Sequence, residues 1–249
     1  MTTATATPKP ALDRSNDRKV TPAVKRNGKQ SAIANTFGLP SGKKYSCRGE
    51  TPTCGRVCYA GKLEKIYPSV RALLLRNWDL LKDADEPTMV GLLDDMINDF
   101  LRDCNKFDSI ERIFRIHWDG DFFSDEYTKA WRTVIAMHPT VQFWVYTRVD
   151  SSAVLLRDIP NLALYYSTDV DNEHIGADLR ARYGIKLAYL EDTFEGGGIR
   201  LKVLTGKTGA MCPENKGVLP LISTLGSACG RCRLCVDGKV DIRFSITKG

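Results

Sequence analysis

Three cysteines near the carboxyl end, Cys229, Cys232 and Cys235, constrain the fold more than any other feature of this sequence. Thiols spaced by two residues can bind three corners of a cubane iron–sulfur cluster, and bacterial ferredoxins combine this spacing with a remote cysteine that precedes a proline. Cys212, which precedes Pro213, supplies such a cysteine. The set therefore favours a [4Fe–4S] cluster over its alternative, a zinc ion, because the ligands of structural zinc more often come as two separated pairs.

A second set, Cys47, Cys54 and Cys58, offers only three thiols. A cluster bound by three cysteines keeps one iron open for a substrate or cofactor, whereas a zinc site would need Cys104 or a histidine as its fourth ligand. Cys104 falls on the apolar face of a predicted helix, where a cysteine usually packs as a small hydrophobic residue. We therefore expect one or two [4Fe–4S] clusters, with the open one near the amino end of the fold.

The composition is that of an ordinary soluble globular protein, with 43% hydrophobic and 27% charged residues. No apolar run approaches the ~20 residues of a membrane span, and Met1–Thr7 lack the apolar core of a secretory signal. We expect a cytoplasmic protein that has no membrane contact. In that reducing compartment, eight cysteines favour metal binding over disulfides.

The net charge of +6 is concentrated in the first 45 residues, which carry nine basic and two acidic side chains. Apolar residues are scarce before Phe37, so we expect residues 1–35 to form a basic, disordered tail. The alternative is an arm that binds nucleic acid through its positive charge. No aromatic residue is interleaved with the basic ones, which makes this alternative the weaker of the two.

Helical and strand patterns alternate from Pro68 onward, as is typical of an α/β fold with a mainly parallel sheet and crossover helices. We interpret residues 36–205 as an incomplete, TIM-like (β/α) barrel that carries the three-cysteine site. Residues 206–249 form the cysteine-rich segment of the four-cysteine cluster. The pattern predicts helices over 70–81, 93–104 and 174–183 and after Ser124, and strands over 113–118, 141–147, 162–168, 185–190 and, after a turn at Gly196–Gly198, 199–204.

Polar side chains gather where the predicted strands end, which is where parallel α/β folds place their active sites. Along the strand at 113–118, alternation puts Arg115, His117 and Asp119 on one face, directed into the barrel. In the simpler alternatives, Arg115 pairs with Asp119, His117 is a satisfied interior histidine, and Tyr146 only packs. The candidate pocket residues are Arg115, His117, Asp119, Asp121, Tyr146, Arg148, Ser167 and Asp169.

The segment Cys47–Ala60, with the sequence CRGETPTCGRVCYA, resembles the signature of the actinobacterial phage "gene product 88" family. The resemblance continues through Arg115–Ser124, Tyr146–Arg148 and Cys229–Cys235 and so covers most of the chain after the tail. It implies a phage protein that works in the cytoplasm of the host cell. It implies little about activity.

A more distant resemblance concerns the order of the elements, which is similar to that of radical S-adenosylmethionine enzymes with an auxiliary cluster. It implies that the three-cysteine cluster binds S-adenosylmethionine at its open iron and cleaves it to a 5′-deoxyadenosyl radical. The turn that binds the methionine amino group in those enzymes matches Gly120 and Asp121 here. The chain departs from that pattern, because its gaps of six and three residues replace the usual C-x3-C-x2-C spacing.

Three functional hypotheses follow from these features. The first is a radical S-adenosylmethionine-like enzyme with an unknown substrate. The second is a nucleic-acid-binding protein with a structural metal, although His117, His138 and His174 do not form the motif of rolling-circle initiators. The third is a non-catalytic iron–sulfur protein that binds a host or phage protein.

Overall fold

The computed structural model describes residues 9–17, 19–20, 22–26, 29–107, 110–223 and 226–247. The helices of this part are α1 (Pro52–Val57), α2 (Tyr59–Ile66), α3 (Pro68–Leu81), α4 (Glu86–Cys104), α5 (Asp125–Met137), α6 (Asp150–Leu156), α7 (Glu173–Tyr183), α8 (Phe194–Thr205) and α9 (Ala228–Cys232). The strands are β1 (Ala23–Arg26), β2 (Lys29–Ala32), β3 (Ile113–Ile116), β4 (Gln142–Thr147), β5 (Leu162–Thr168), β6 (Lys186–Glu191), β7 (Ala210–Met211), β8 (Ile222–Ser223), β9 (Gly226–Ser227) and β10 (Ile242–Ser245).

Six of these strands form one sheet in the order β3-β4-β5-β6-β10-β7, and every neighbouring pair is parallel. The α/β class and the parallel sheet are therefore confirmed. The sheet is open, with β3 and β7 at its two ends, so closure into a barrel is not observed. Alongside β3 runs the extended segment 35–39: the Arg115 N–H donates to the Asn35 carbonyl at 3.0 Å, and the Leu39 N–H donates to the Asp119 carbonyl at 3.0 Å.

The two faces of the sheet are covered differently. Helices α4 to α8 pack on one face, where alternate strand residues such as Phe143, Val145 and Leu187 are fully buried. On the other face, Trp144 and Tyr165 pack against Cys235 and its neighbours from the carboxyl-terminal segment. The cysteine-rich segment thus covers the face that carries no long helix. No helix in the described ranges is both long and apolar enough to cross a membrane.

Most of the predicted elements are present, and their ends have the expected chemistry. Ser124 caps α5, since its Oγ accepts the N–H of Tyr127 at 3.1 Å. Gly184 ends α7 with a φ of 69°, a conformation that favours glycine. The strand expected over 199–204 is wrong, because these residues belong to α8.

Glycines allow α8 to pack tightly on the sheet and do not form the predicted turn. A Cβ at Gly198 would lie about 2.0 Å from the Arg243 guanidinium, which itself donates to the Phe194 carbonyl at 2.8 Å. The helix begins at its cap Thr193, whose Oγ1 accepts the Gly196 N–H at 3.0 Å.

The amino-terminal segment differs from the disordered tail that we expected over residues 1–35. Leu12 is buried, the Asp13 N–H donates to Asn77 Oδ1 at 2.8 Å, and Arg14 pairs with Asp103 of α4 at 2.6 Å. These contacts hold the segment on the helices, because each buries or pairs a side chain that would otherwise meet water. Residues 1–8 lie outside the described part.

Candidate metal centres

The three-cysteine segment lies across the carboxyl-terminal edge of the parallel sheet. Ser46 Oγ accepts the Asp121 N–H at 3.1 Å, and Arg48 Nε donates to the Phe122 carbonyl at 3.1 Å. Thr51 Oγ1 donates to Asp169 Oδ2 at 2.7 Å, so that the segment is tied to the ends of both β3 and β5. The sequence pattern predicts a pocket at the carboxyl ends of the strands, and the three-cysteine segment lies at the same edge of the sheet.

Two short helices present the cysteines. Thr51 caps α1 by accepting the Cys54 N–H at 3.0 Å. Cys58 precedes α2, and its Sγ accepts the Gly61 N–H at 3.3 Å. The backbone therefore fixes the positions of Cys54 and Cys58 through helix-capping contacts.

The three thiols share a buried environment in which Asp119 acts on Cys47 and Cys58, and Cys58 acts on Cys54. Burial raises the pKa of Cys47, and the carboxylates of Asp121 and Asp119 raise it further. Burial also raises the pKa of Cys58, on which Asp119 acts in the same sense. Burial is the main cause of the raised pKa of Cys54 too, which Arg148 lowers and Cys58 raises. Burial and the neighbouring carboxylates disfavour the thiolate form of these cysteines. A positively charged group among them would stabilise that form.

Asp119 is a buried carboxyl group of this region with an incomplete set of donor partners. Its side chain is 3% exposed; Oδ1 accepts the Gly120 N–H at 2.8 Å, whereas Oδ2 accepts from no protein donor and the carboxyl group lies within hydrogen-bonding reach of the Glu64 carboxyl group. Burial, together with the neighbouring Glu64 carboxyl group, raises the pKa of Asp119 to about 8. A buried carboxyl group with a pKa of about 8 near Cys47 and Cys58 can either keep its proton beside Glu64 or bind a cationic group, such as a metal centre or the ammonium of a ligand.

Gly120 and Asp121 have a structural role at the end of β3. Gly120 has a φ of 80°, and a Cβ there would lie 2.7 Å from the Leu39 carbonyl oxygen, so that a larger residue does not fit. Asp121 accepts hydrogen bonds from Thr147 Oγ1 at 2.7 Å and from the Arg148 N–H at 2.8 Å. Its carboxylate joins β3 to β4.

Arg148 and Asp169 form a buried ion pair of 2.6 Å under Thr51. Asp169 is fully buried and accepts from Thr51 through the same oxygen, Oδ2. The pair therefore fixes α1, and with it Cys54. Ser167 is half-buried on β5, and Asp169 follows the end of that strand.

His117 does not share a face with Arg115, in contrast to the expectation from alternation. Its φ of 57° breaks the extended backbone, and the ring lies on the helical side, 2.9 Å from the Tyr127 hydroxyl and against Phe122. Burial, assisted by the charge of Arg115, lowers the pKa of His117 to about 3. It is an interior histidine, as in the simpler interpretation, although its Nδ1 has no hydrogen-bond partner.

Arg115 lies on the other face of the sheet and pairs with Asp17, not with Asp119. Its guanidinium lies 5.0 Å from the ring centroid of Trp144 and 5.9 Å from that of Tyr146. The side chain is buried, and its Nε has no hydrogen-bond partner. Arg115 is thus directed towards the carboxyl-terminal segment.

The four carboxyl-terminal cysteines line a single recess. Its volume is about 310 Å³, counted with the open space at its mouth, and Pro213, Glu214 and Leu234 complete its wall. Cys212 follows β7, whereas Cys229 and Cys232 lie on α9, which is followed by a left-handed residue, Arg233. The recess contains Cys212, Cys229, Cys232 and Cys235.

Hydrogen bonds connect this recess to distant parts of the chain. The Cys229 N–H donates to the Lys19 carbonyl at 2.8 Å, and the Tyr146 hydroxyl hydrogen-bonds Cys235. Burial raises the pKa of Cys235 to about 12, although the contact with Tyr146 opposes the rise. Burial and the neighbouring Cys235 also raise the pKa of Cys229, which Arg115 lowers.

The recess differs from a preformed site for one ion. Across the described ranges, no group of three or more His, Cys, Asp or Glu side chains is arranged to hold a single metal ion. Cysteines on a cubane cluster bind different irons, so their sulfurs stand further apart than those around one ion. Cys104, at the end of α4, packs in the hydrophobic core, and burial raises its pKa to about 11.

Sequence reasoning did not identify Asp17, Thr51, Tyr59 or Glu64, which contact the candidate residues. Thr51 alone has a local signal, since it precedes the proline that begins α1. Glu64 accepts the Ser41 N–H at 2.9 Å and lies near Asp119. Tyr59 donates to the Trp118 carbonyl at 2.9 Å.

The fold and these cysteines define an α/β protein whose open parallel sheet carries a three-cysteine segment at one edge and a four-cysteine recess on one face. The chain belongs to the gene product 88 family, because the family model "Gene product 88" matches residues 10–238. The more distant radical S-adenosylmethionine relationship is not shown by any comparison.

Two relatives are close. The Gene 88 protein of Mycobacterium phage L5 is 48% identical over 242 residues, which cover 95% of this chain and 98% of that protein. The Gene 88 protein of Mycobacterium phage D29 is 47% identical over 244 residues, which cover 96% and 99%. No solved structure matches the chain.

Proposed function

We propose that this chain is an iron–sulfur protein with two unlike centres. A [4Fe–4S] cluster bound by Cys212, Cys229, Cys232 and Cys235 is the more enclosed of the two. The observation that carries the proposal is the convergence of these four thiols on one recess, although Cys212 is separated from the others in sequence. Buried thiols with raised pKa values are suited to a metal that replaces their protons.

The second centre is a cluster bound by Cys47, Cys54 and Cys58, with one iron open to a ligand. The topology supports a site similar to that of radical S-adenosylmethionine enzymes. The extended segment 35–39 leads into the cysteines, helices follow, and the parallel β3 returns beside that segment, with Asp119 three residues beyond its end. In such a site, S-adenosylmethionine bound to the cluster supplies a 5′-deoxyadenosyl radical after reductive cleavage.

The residues of this chain have separate roles in that proposal. Asp119 Oδ2, which accepts from no protein donor, would accept a hydrogen bond from the ammonium group of the ligand, whose positive charge would favour the carboxylate form. Arg148 and Asp169 hold Thr51 and thereby fix Cys54. The substrate that would receive the radical is not specified by these residues.

Metal analysis of anaerobically purified protein tests the two centres. We expect about eight irons and eight sulfides per chain, with visible absorbance. Replacing Cys229, Cys232 and Cys235 together by alanine leaves about four irons, and so does the same change at Cys47, Cys54 and Cys58. Cys104→Ala is the matched control and retains all eight. Zinc in place of iron, without visible absorbance, overturns the proposal.

Incubation of the reduced protein with S-adenosylmethionine tests the enzymatic part. We expect 5′-deoxyadenosine, and we expect Asp119→Asn to retain the iron and lose most of the product, because an amide binds an ammonium group less well. A reduced, intact cluster that yields no 5′-deoxyadenosine contradicts the radical chemistry. The chain is then a non-catalytic iron–sulfur protein that acts through a protein partner.

Three basic side chains of the amino-terminal segment have carboxylate partners in the fold, whereas those of Arg18, Lys25, Arg26 and Lys29 lie outside the described part of the structure. Lys9 pairs with Asp95, Arg14 with Asp103, and Lys19 with Glu214. Each positive charge is thus balanced by a carboxylate of the fold, which reduces its attraction for phosphates.

A further inference from the structure

The Arg115 guanidinium is buried between two walls next to the four-cysteine recess. One wall is formed by the rings of Trp144 and Tyr146, at 5.0 and 5.9 Å, and Tyr146 in turn hydrogen-bonds Cys235. The other wall is Asp17, which forms an ion pair with Arg115. The Nε–H of Arg115 has no protein partner, which is uncommon for a buried donor.

The amino-terminal segment fixes Asp17 against the same recess. Two residues after Asp17, the Lys19 carbonyl accepts the Cys229 N–H at 2.8 Å. The Asp17 carboxylate accepts the Lys19 N–H at 2.9 Å and so is oriented by the same turn. Glu214, which pairs with Lys19, and Arg233 line the recess itself, and the buried charges of Arg115 and Asp17 act on its Cys229 from fixed supports.

We propose that the Arg115–Asp17 pair sets the reduction potential of the four-cysteine centre. This inference rests on the proposed function. When a [4Fe–4S]2+ cluster takes one electron from a reductant such as dithionite, it becomes [4Fe–4S]+ and no bond breaks. The site gains one negative charge, which Arg115 stabilises and Asp17 opposes. In a buried site these effects are strong, because little solvent screens them.

Opposite shifts in the two single variants distinguish charge from packing. Arg115→Gln removes the positive charge, and we expect the one-electron reduction equilibrium to fall about tenfold, which is about 59 mV towards negative potential. Asp17→Asn removes the negative charge, and we expect a shift of similar size towards positive potential. Arg115→Lys keeps the charge and is expected to shift the potential less than Arg115→Gln does.

The experiment is a dithionite titration of the full chain, followed by electron paramagnetic resonance. The Cys47, Cys54 and Cys58 triple alanine variant identifies which signal belongs to the four-cysteine centre. A matched control is the pair Arg14 and Asp103, which joins the amino-terminal segment to α4 on the helical side. Arg14→Gln and Asp103→Asn are expected to leave the potential unchanged.

The outcomes distinguish a failure of this inference from a failure of the proposed function on which it rests. If Arg115→Gln and Asp17→Asn shift the potential in the same direction, or neither shifts it, the inference is wrong while the cluster stands. If the unsubstituted chain holds no cluster, the proposed function fails, and the inference fails with it. Should Arg115→Gln not fold, the sign of the shift in Asp17→Asn decides the question.

Discussion

A single backbone angle decides which face of the sheet His117 occupies. Strict alternation along β3 places His117 beside Arg115, but its φ of 57° turns the ring into the helical core, against Tyr127. Non-glycine residues seldom adopt this φ, so no local sequence pattern predicts it. The residue types at the strand ends could be predicted from the sequence, whereas their directions depend on where the strand stops.

The buried, neutral state of His117 makes the protein sensitive to acid. Its pKa is about 3 in the folded chain and about 6.5 when unfolded, so that below pH 6.5 the unfolded chain binds a proton that the folded chain does not. Stability therefore falls as the pH drops through this window. Between pH 6.5 and pH 5, His117 lowers the free energy of unfolding by about 2 kcal/mol. We expect this part of the pH dependence to be absent in His117→Gln.

Chemical denaturation at several pH values measures this effect. His174→Gln is the control, because His174 is exposed on α7 and meets solvent in both states. An unchanged pH slope in His117→Gln, with a normal slope in the control, contradicts the assignment.

At the scale of elements, α8 shows why a local pattern can mislead. Ile199, Leu201 and Val203 alternate with polar or small residues as a strand would, but Ile199 and Val203 are exposed and only Leu201 is buried. The place beside β6 is taken by β10, from much later in the chain, which no short window can reveal. Tertiary pairing therefore decides against the strand.

The residues of the candidate site also differ in whether a local sequence pattern identifies them. Cysteine spacing singled out both cysteine sets, because most of their members lie close together in sequence. Asp17 and Glu64 carry no such signal, since they reach Arg115 and Asp119 only after the chain has folded. Long-range contacts of this kind could not be predicted.

The fit of the three-cysteine segment against β4 can be tested with two glycines. A Cβ at Gly49 would lie 2.4 Å from the Arg148 carbonyl oxygen, which the backbone holds in place. We expect Gly49→Ala to displace the segment and to lower the iron content from about eight to about four per chain, because only the other centre stays loaded. Iron and sulfide analysis of the soluble variant measures this.

Gly55→Ala is the matched control within the same segment. Its added Cβ would meet only the Glu50 carboxylate, at the end of a flexible side chain that can move away. Full iron content in both variants would show that the segment is not seated on the Arg148 backbone.

At the scale of the whole molecule, the amino-terminal segment belongs to the fold. It buries Leu12 and Val20 and supplies the only ion-pair partner described for the buried Arg115. A chain that starts at residue 22 loses both hydrophobic contacts and the ion-pair partner of Arg115. Removing one partner of a buried ion pair alone costs about 3–5 kcal/mol.

We therefore expect the chain that starts at residue 22 to lose cooperative thermal unfolding, because the total loss approaches the 5–15 kcal/mol stability of a typical domain. Circular dichroism during heating measures the transition. The chain that starts at residue 9 is the comparison, since it keeps all of these contacts. A cooperative transition at the same temperature in both truncated chains would contradict the structural role of the segment.

The hydrogen bond from Cys229 to Lys19 joins residues more than two hundred positions apart. During synthesis, Lys19 leaves the ribosome long before Cys229 exists, and β10 inserts between β6 and β7 later still. Contacts of such high sequence separation form late in folding. The four-cysteine recess is therefore completed only once β10 has been synthesised, and under the proposed function a cluster would be loaded only after Lys19 and β10 have both joined the fold.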